Sequence, residues 1–356
     1  MKPHVCAPAI LALCALLAQG CATPPQRFNL FPGIAEGVPQ PVWPAQPGIP
    51  RYRYGGELQG QVNFEAVAGS RSFGSRLLGW LVGENSAQAR QAVLKRPQCG
   101  MVDAAGRILV TDLGQGAVAV FDAKAGLSFW ERADRGERFS APLGVTAGPD
   151  AEIYVADAEL ARVVRLDVRG DPLGSFGEGV LKRPTGLVRD PVARLTYVAD
   201  TAAHDIKVFD DARSLVRTIG GPGTEPGRFN APTFLALHAD GLVVSDTLNA
   251  RVQIVSPAGE SRGVIGERGL YVGNLTRPKG VAVDAEGNIY VVESYYDHLL
   301  VFDRSGRLLL PIGGGGSQPG KFFLPGGAWS DADNRIFVAD VFNARVSIFQ
   351  YLGARP

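Results

Sequence analysis

Short alternating runs of apolar and polar residues recur along most of the chain, and turn residues separate them. Residues 277–313 contain one full set, with strands predicted at 280–283, 288–292, 299–302 and 308–312. Turns of the form Asp-x-x-Gly join the first strand to the second and the third strand to the fourth, where glycine supplies the positive φ of a hairpin. Four antiparallel strands within about 45 residues are typical of one blade of a β-propeller.

This set of strands occurs six times. A proline opens each copy, and an acidic residue follows some fifteen positions later. The prolines are Pro97, Pro142, Pro184, Pro232, Pro278 and Pro325. The acids, in the same order, are Asp112, Asp157, Asp200, Asp246, Glu293 and Asp340. The repeat predicts an all-β fold, a six-bladed β-propeller whose blades are numbered here in chain order.

The last blade contains only three predicted strands. Residues 51–56 resemble the fourth-strand endings of other blades, such as residues 216–221. We therefore expect residues 51–64 to complete the last blade, because closing the ring removes a free sheet edge. Residues 70–94 form an enlarged connection into blade one, in which apolar residues at helical spacing predict a short helical insertion.

The segments RPKGVAVD, GNIYVVE, IFVAD and NARVSIF resemble the repeat sequences of the NHL-repeat family of propellers. The resemblance covers residues 93–356 and implies a six-bladed propeller domain, which we place at 51–356. It implies little about activity, because that family includes scaffolds, binding modules and a few enzymes.

The start of the chain has the features of a secretion signal. Residues 1–20 carry an early basic residue and an apolar run that is too short to span a bilayer. Cys21 directly follows Gly20, which resembles a bacterial lipobox and implies a lipidated Cys21; plain secretion is the alternative. Because Ala22 rather than Asp follows the cysteine, the resemblance points to the outer membrane. The proline-rich residues 21–50 predict an extended tether between this anchor and the propeller.

Charge and cysteine content narrow the function classes. The net charge of +1, from 36 basic and 35 acidic residues, argues against binding of nucleic acid through bulk charge. Once the signal is removed and Cys21 carries lipid, only Cys99 remains, so an internal disulfide is impossible. We expect a monomeric propeller in the bacterial cell envelope, either lipid-anchored or, failing lipidation, periplasmic or secreted.

Arginines alternate between two positions around the ring. Blades two, four and six carry an arginine five residues after the acid, and blades one, three and five carry one directly before the proline. The first group is Arg162, Arg251 and Arg345; the second is Arg96, Arg183 and Arg277. The true repeat is thus a pair of blades. Because a guanidinium can bind a carboxylate through two hydrogen bonds, we predict that each acid keeps one arginine as a structural partner.

Two groups of residues are candidates for ligand or partner binding. Lys95, Lys182 and Lys279 are expected to give the channel mouth a positive field, which suits an anionic ligand or an acidic partner surface. In blade five, Glu293 replaces aspartate, and Tyr295, Tyr296 and His298 follow it closely. Exposed tyrosines are common anchors of protein interfaces.

Candidate catalytic and metal-binding groups are sparse. His204 and His298 lie in corresponding loops of different blades, which is short of the three converging ligands that a zinc site needs. A calcium site at Asn249, Asn343 and Glu293 is an open alternative; no other cofactor is predicted. We therefore expect a non-catalytic, lipid-anchored scaffold that binds a protein or an envelope polymer. The alternative is a periplasmic hydrolase or lyase, resembling lactonases or amidating lyases, with a divalent ion in the central channel.

Overall fold

The computed structural model describes residues 26–34, 37–66 and 92–353. The predicted signal peptide, Cys21 and the helix expected within the insertion lie outside these residues. Within them, no helix is long and apolar enough to cross a membrane.

Five four-stranded antiparallel sheets and one five-stranded sheet surround a central channel, which confirms the predicted propeller. Blade one contains β5 (Pro97–Val102), β6 (Ile108–Asp112), β7 (Ala117–Asp122) and β8 (Gly126–Trp130). Blade two contains β9 (Pro142–Ala147), β10 (Ile153–Asp157), β11 (Arg162–Leu166) and β12 (Pro172–Phe176). Blade three contains β13 (Pro184–Asp190), β14 (Leu195–Asp200), β15 (Asp205–Asp210) and β16 (Leu215–Gly220).

The remaining blades follow the same order from the channel outwards. Blade four contains β17 (Pro232–His238), β18 (Gly241–Asp246), β19 (Arg251–Val255) and β20 (Ser261–Ile265). Blade five contains β21 (Pro278–Val283), β22 (Ile289–Glu293), β23 (His298–Phe302) and β24 (Leu308–Gly313). Blade six contains β25 (Ala328–Ser330), β26 (Arg335–Asp340), β27 (Arg345–Tyr351), β3 (Tyr52–Leu58) and β2 (Val42–Trp43). Two further strands, β1 (Gln26–Phe28) and β4 (Phe64–Ala66), pair with each other, and single-turn 3-10 helices cover Gln61–Asn63, Pro149–Ala151, Thr247–Asn249 and Val341–Asn343.

The second strand of each blade is buried on both faces, because neighbouring blades cover it. This explains why these strands read as nearly continuous apolar runs rather than as alternating ones. Between blades five and six, for example, Val292 and Leu299 pack in one cluster with Ile336 and Phe349. In blades one to five, the innermost strand begins at the repeated proline, which has no N–H and is therefore suited to the first position of a strand.

The N-terminal strand closes the ring, as predicted. β3 runs antiparallel to β27, in a register that starts at Val346 opposite Leu58 and ends at Tyr351 opposite Tyr52. The ring of Tyr54 lies 5.9 Å from that of Phe349, edge to face. The first and last described strands of the propeller domain therefore share one sheet.

The prediction of an extended tether is wrong for residues 26–34 and 37–50, which we call the N-terminal strap. β2 adds a fifth strand to blade six, and β1 pairs with β4. The Trp43 ring lies 5.4 Å from the Phe349 ring, and the Phe31 ring lies 6.4 Å from that of Tyr54. Proline content alone predicted an extended chain, but aromatic residues between the prolines supply enough apolar surface to dock it.

The two ends of the propeller differ in the loops that they carry. The connections between blades and the loops between second and third strands lie on one end, which we call the upper face. The hairpin turns between first and second and between third and fourth strands lie on the lower face. Gln26, where the strap begins, lies beside Gly126 at the turn between β7 and β8, and thus on the lower face.

Backbone hydrogen bonds join the inner ends of blades five, six and one. The Gly280 N–H donates to the Gly326 carbonyl (3.0 Å), and the Gly327 N–H donates to the Gln98 carbonyl (2.8 Å). A Cβ atom at Gly327 would lie 2.2 Å from the Gln98 carbonyl oxygen, so only glycine permits this approach. Main-chain contacts therefore hold the inner strands of blades five, six and one together.

Candidate binding face

The six repeated acids are all buried and lie at the upper ends of the second strands. Each carboxylate accepts at least one backbone N–H group from the connection that enters its own blade. In blades one, two, three and five the acid also accepts backbone N–H groups from its own loop. Asp112, for example, accepts the N–H groups of Lys95 (2.6 Å), Arg96 (2.9 Å), Gly114 (2.8 Å) and Gln115 (3.0 Å). These acids therefore fix the upper loops in one conformation, because a buried carboxylate and buried amides are each costly when unpaired.

The predicted pairing of every acid with an arginine is correct in two blades and wrong in four. Asp246 accepts from Nε of Arg251 (2.8 Å), and Asp340 accepts from Nε of Arg345 (2.9 Å). In the other blades, backbone amides take the place of the guanidinium. Asp157, Asp200 and Glu293 are bound in this way, as Asp112 is. Arg162 instead pairs with Glu137, and Arg183 pairs with Glu159 (2.6 Å).

The alternation of arginines in blades four and six has a structural cause in the backbone. In blade six, the Phe323 N–H donates to Asp340 (2.8 Å), but the next N–H, that of Leu324, donates to Asp297 of blade five (2.7 Å). An oxygen of Asp340 is thereby left for the guanidinium of Arg345. Blade four repeats this arrangement. The Asn230 N–H donates to Asp246, the Ala231 N–H donates to Nδ1 of His204 in blade three, and Arg251 donates to Asp246.

Three cations lie near the channel mouth on blades one and five, and we call Arg96, Arg277 and Lys279 the mouth cations. Within the described parts of the chain, none of them forms an ion pair, and the Lys279 ammonium has no hydrogen-bond partner. Burial of the half-buried Lys279 lowers its pKa, and the positive charges of Arg277 and Arg96 lower it further. Lys95 and Lys182 are exposed on the same face, where their backbone amides bind the acids of blades one and three.

The candidate residues of blade five lie together at the upper face. Glu293 is buried and holds the N–H groups of Arg277 (3.0 Å) and Tyr295 (3.0 Å) on the same oxygen, Oε1. Tyr295 is 60% exposed, and its ring lies 4.9 Å from that of Tyr296. Tyr296 and His298 line a cavity of about 100 Å³ beneath the connection from blade four.

Sequence reasoning missed most of the exposed apolar surface around these residues. Seven large apolar side chains, each at least half exposed, occupy consecutive upper loops of blades four to six, and we call them the upper crescent. They are Leu248, Leu270, Tyr271, Val272, Tyr295, Phe323 and Phe342. Phe323 and Phe342 contact each other, with ring centroids 5.5 Å apart. The sequence did contain a signal for this surface: apolar residues occur in these loops at positions where the repeat does not require them.

The central channel offers few groups for metal or acid–base chemistry. Its cavity of about 340 Å³ is lined by the inner strands of all six blades, and its side chains are apolar apart from Cys99, Thr146 and Ser330. The amide nitrogens of Asn249 and Asn343, two residues of the calcium alternative, donate to the acids of their own blades. Among the described residues, no three His, Cys, Asp or Glu side chains converge in a metal-binding group.

Known proteins resemble parts of this chain, although no family model matches it. Protein brain tumor of Drosophila melanogaster is 28% identical over 145 residues, covering 39% of this chain and 13% of that protein. NHL repeat-containing protein 2 of Bos taurus is 28% identical over 151 residues, covering 33% and 21%. The E3 ubiquitin-protein ligase NHLRC1 of Homo sapiens is 24% identical over 219 residues, covering 55% and 51%. The protein is an NHL-repeat β-propeller.

The NHL-repeat propeller also resembles solved structures of other propellers. Virginiamycin B lyase from Staphylococcus aureus superposes with a TM-score of 0.54 at 12% identity, covering 72% of this chain and 96% of that one. A gluconolactonase from Xanthomonas campestris superposes with a TM-score of 0.54 at 15% identity, covering 72% and 86%. Such low identities show the shared fold alone. The chain spans about half the length, or less, of the three curated relatives named above.

Proposed function

We propose that this propeller is a non-catalytic binding module that captures a partner protein on the upper crescent. The observation that carries the proposal is the clustering of seven exposed apolar side chains on the loops of three consecutive blades. Contiguous exposed apolar surface of this kind marks sites of protein interaction, and aromatic side chains supply much of the binding energy at such sites.

The loops that carry the crescent are fixed before any partner arrives. Glu293 accepts backbone N–H groups from the connection into blade five and from the upper loop of that blade. Asp340 accepts the Phe323 N–H from the connection into blade six and the Nε–H of Arg345. Arg268 donates to the Leu248 carbonyl (3.2 Å), which ties the connection after blade four to the loop of that blade. Rigid loops lose little conformational entropy on binding, so the exposed area converts more fully into affinity.

The enzymatic alternative has less support from this chain's own residues. The apolar channel supplies neither a carboxylate cluster nor converging imidazoles in the part of the chain that the structure describes. The likeness to the lyase and to the gluconolactonase shows the fold alone. Among the relatives in sequence, NHLRC1 is named as an E3 ubiquitin-protein ligase, an enzyme class whose substrates are proteins, and this agrees with recognition of a protein.

The binding proposal predicts that polar substitutions in the crescent abolish partner capture. Short random peptides displayed on phage are selected on the immobilised full chain, and the enriched peptides are then measured against variants. Tyr271→Ser and Phe323→Ser are each expected to weaken binding by at least about tenfold, or 1.4 kcal/mol, because each removes an exposed anchor. Both variants should keep the wild-type melting temperature, since the side chains are largely exposed.

Val192→Ser is the matched control for these substitutions. Val192 is 92% exposed but lies in the lower-face turn between β13 and β14. The Val192→Ser variant should bind the enriched peptides as the wild type does. Equal binding by the two crescent variants and the control would contradict the proposal.

We further propose that Cys21 carries a lipid that anchors the module in a bacterial envelope, in agreement with the lipobox-like residues before it. Cys21→Ala is expected to move the protein from the membrane fraction to the soluble fraction without changing its melting temperature, because the substitution lies outside the propeller. Fractionation of cells that express both forms tests this. Retention of the Cys21→Ala form in the membrane fraction would show that the lipid is not the anchor.

A further inference from the structure

We propose that the mouth cations form a carboxylate subsite beside the upper crescent, so that the captured segment is acidic as well as apolar. This inference rests on the proposed function and deepens it, because it specifies the chemistry of the partner. Arg96, Arg277 and Lys279 would bind one or more Asp or Glu side chains of that segment.

The first argument is that these cations lack the partners that other arginines of the upper face have. Arg162, Arg183, Arg251 and Arg345 each pair with a carboxylate of the chain itself. No such pair is present for the mouth cations among the residues that the structure describes. Neighbouring like charges without an anion repel one another, and the half-buried Lys279 also loses hydration. An anion supplied from outside would relieve both costs.

The second argument is the way in which the backbone brings the cations together. The main-chain bonds at Gly280, Gly326 and Gly327 hold the inner ends of blades five, six and one against each other. Gly326 follows the repeated proline in blade six, as Lys279 does in blade five. Blade six therefore places no side chain at that position between Lys279 and blade one, which carries Arg96.

The third argument is that one side chain, Glu293, binds the backbone of both a mouth cation and a crescent residue. Oε1 of Glu293 accepts the N–H groups of both Arg277 and Tyr295, each at 3.0 Å. Arg277 also belongs to the connection that carries Leu270, Tyr271 and Val272. A bound segment that covers the crescent thus passes directly beside Arg277, and an acidic residue next to its apolar anchors can reach the mouth.

A carboxylate fits this group of side chains well. The guanidinium fork can bind both oxygens of a carboxylate, and the lysine ammonium adds a compact positive charge. Phosphate shares this chemistry. We assign a protein carboxylate because the adjoining crescent requires apolar side chains on the same ligand, which free phosphate lacks.

Replacement of Lys279 by Met tests the subsite directly. The peptides selected on the wild-type chain are expected to be rich in Asp and Glu, and Lys279→Met should bind them about tenfold more weakly. Raised salt should weaken wild-type binding more than it weakens the binding of Lys279→Met, in which Arg96 and Arg277 remain. Lys124→Met is the matched control, because Lys124 is exposed in the lower-face turn between β7 and β8, and it should bind as the wild type does.

The melting temperature separates a ligand site from a structural role. If Lys279 lacks a partner in the folded protein, Lys279→Met should melt at the wild-type temperature or above it. A lower melting temperature would reveal a structural partner and overturn the assignment.

Two further outcomes distinguish this inference from the proposed function. If the enriched peptides depend on Tyr271 and Phe323 but contain no acidic residues, and Lys279→Met binds them normally, the subsite is wrong and the crescent stands. A peptide of glutamates alone tests the subsite without the crescent: wild type should bind it more tightly than Lys279→Met, and equal binding overturns the inference. Tighter Lys279-dependent binding of single-stranded oligouridylate or of inorganic phosphate than of the glutamate peptide would also overturn it.

Discussion

Replacement of Arg345 by Met should lower the free energy of unfolding by about 3–5 kcal/mol, because it leaves buried charges unpaired. The Arg345 side chain is 6% exposed and donates to Asp340 (2.9 Å) and to Glu57 (3.0 Å), both of which are buried. It also donates to the carbonyls of Ser317 (2.8 Å) and Lys321 (2.8 Å). Arg345 therefore joins the closing strand β3, the last strand β27 and the connection into blade six.

Arg251→Met is the matched control, because Arg251 occupies the same repeat position in blade four. It donates to Asp246 and to the carbonyls of Glu225 and Arg228, and among the described residues it pairs with no second acid. We expect about half the loss, on the order of 2 kcal/mol. Urea unfolding of the two variants measures the difference. Equal losses would show that the bond to Glu57 adds nothing to ring closure.

Replacement of Gly280 by Ala is expected to cost about 3 kcal/mol, the upper end of the usual cost of overpacking. A Cβ atom at this position would lie 2.4 Å from the Ala328 nitrogen and 2.5 Å from the Gly327 carbonyl carbon. Both atoms belong to the backbone of blade six, so a change of side-chain rotamer cannot relieve the contact. The inner strands of blades five and six would have to separate, which would also weaken the Gly280 N–H bond to Gly326.

The same substitution at Gly263 should raise the free energy of unfolding instead of lowering it. Gly263 lies in the outer strand β20, and a Cβ atom there meets nothing within 4 Å. Alanine reduces the conformational entropy of the unfolded chain, so Gly263→Ala should gain about 0.4–1 kcal/mol. Urea unfolding of both alanine variants checks the pair. A loss at Gly263 equal to that at Gly280 would mean that backbone freedom, rather than space between the blades, decides the cost.

The fold could be predicted because its signals are local and repeated. A strand period of two and a repeated proline recur in nearly every blade, and Asp-x-x-Gly turns recur in blades one, two and five, so errors in one copy are corrected by the others. Closure by β3 was predictable for the same reason, since residues 51–56 have the pattern of a fourth strand. The strap was not, because its docking depends on single aromatic residues such as Trp43, which belong to no repeat.

The arginine pattern shows where such reasoning fails. The two complementary sets of arginines are real, but side-chain identity does not reveal which backbone N–H each acid accepts. In blades one and five the acids are saturated by main-chain amides, so Arg96 and Arg277 remain available for another role. The upper crescent was missed for a related reason: exposure of Leu270 or Phe342 depends on loop geometry that the sequence pattern does not encode.

The docked strap changes the geometry of the proposed membrane anchor. An extended tether of residues 21–50 would let the propeller range far from the bilayer, whereas the strap leaves only residues 21–25 to span the distance from the lipid to Gln26. Five extended residues reach about 17 Å. Since Gln26 lies at the lower face of blade one, a link of this length would keep that part of the lower face near the bilayer, on the end of the propeller opposite the crescent. A partner would then approach the crescent from the aqueous side.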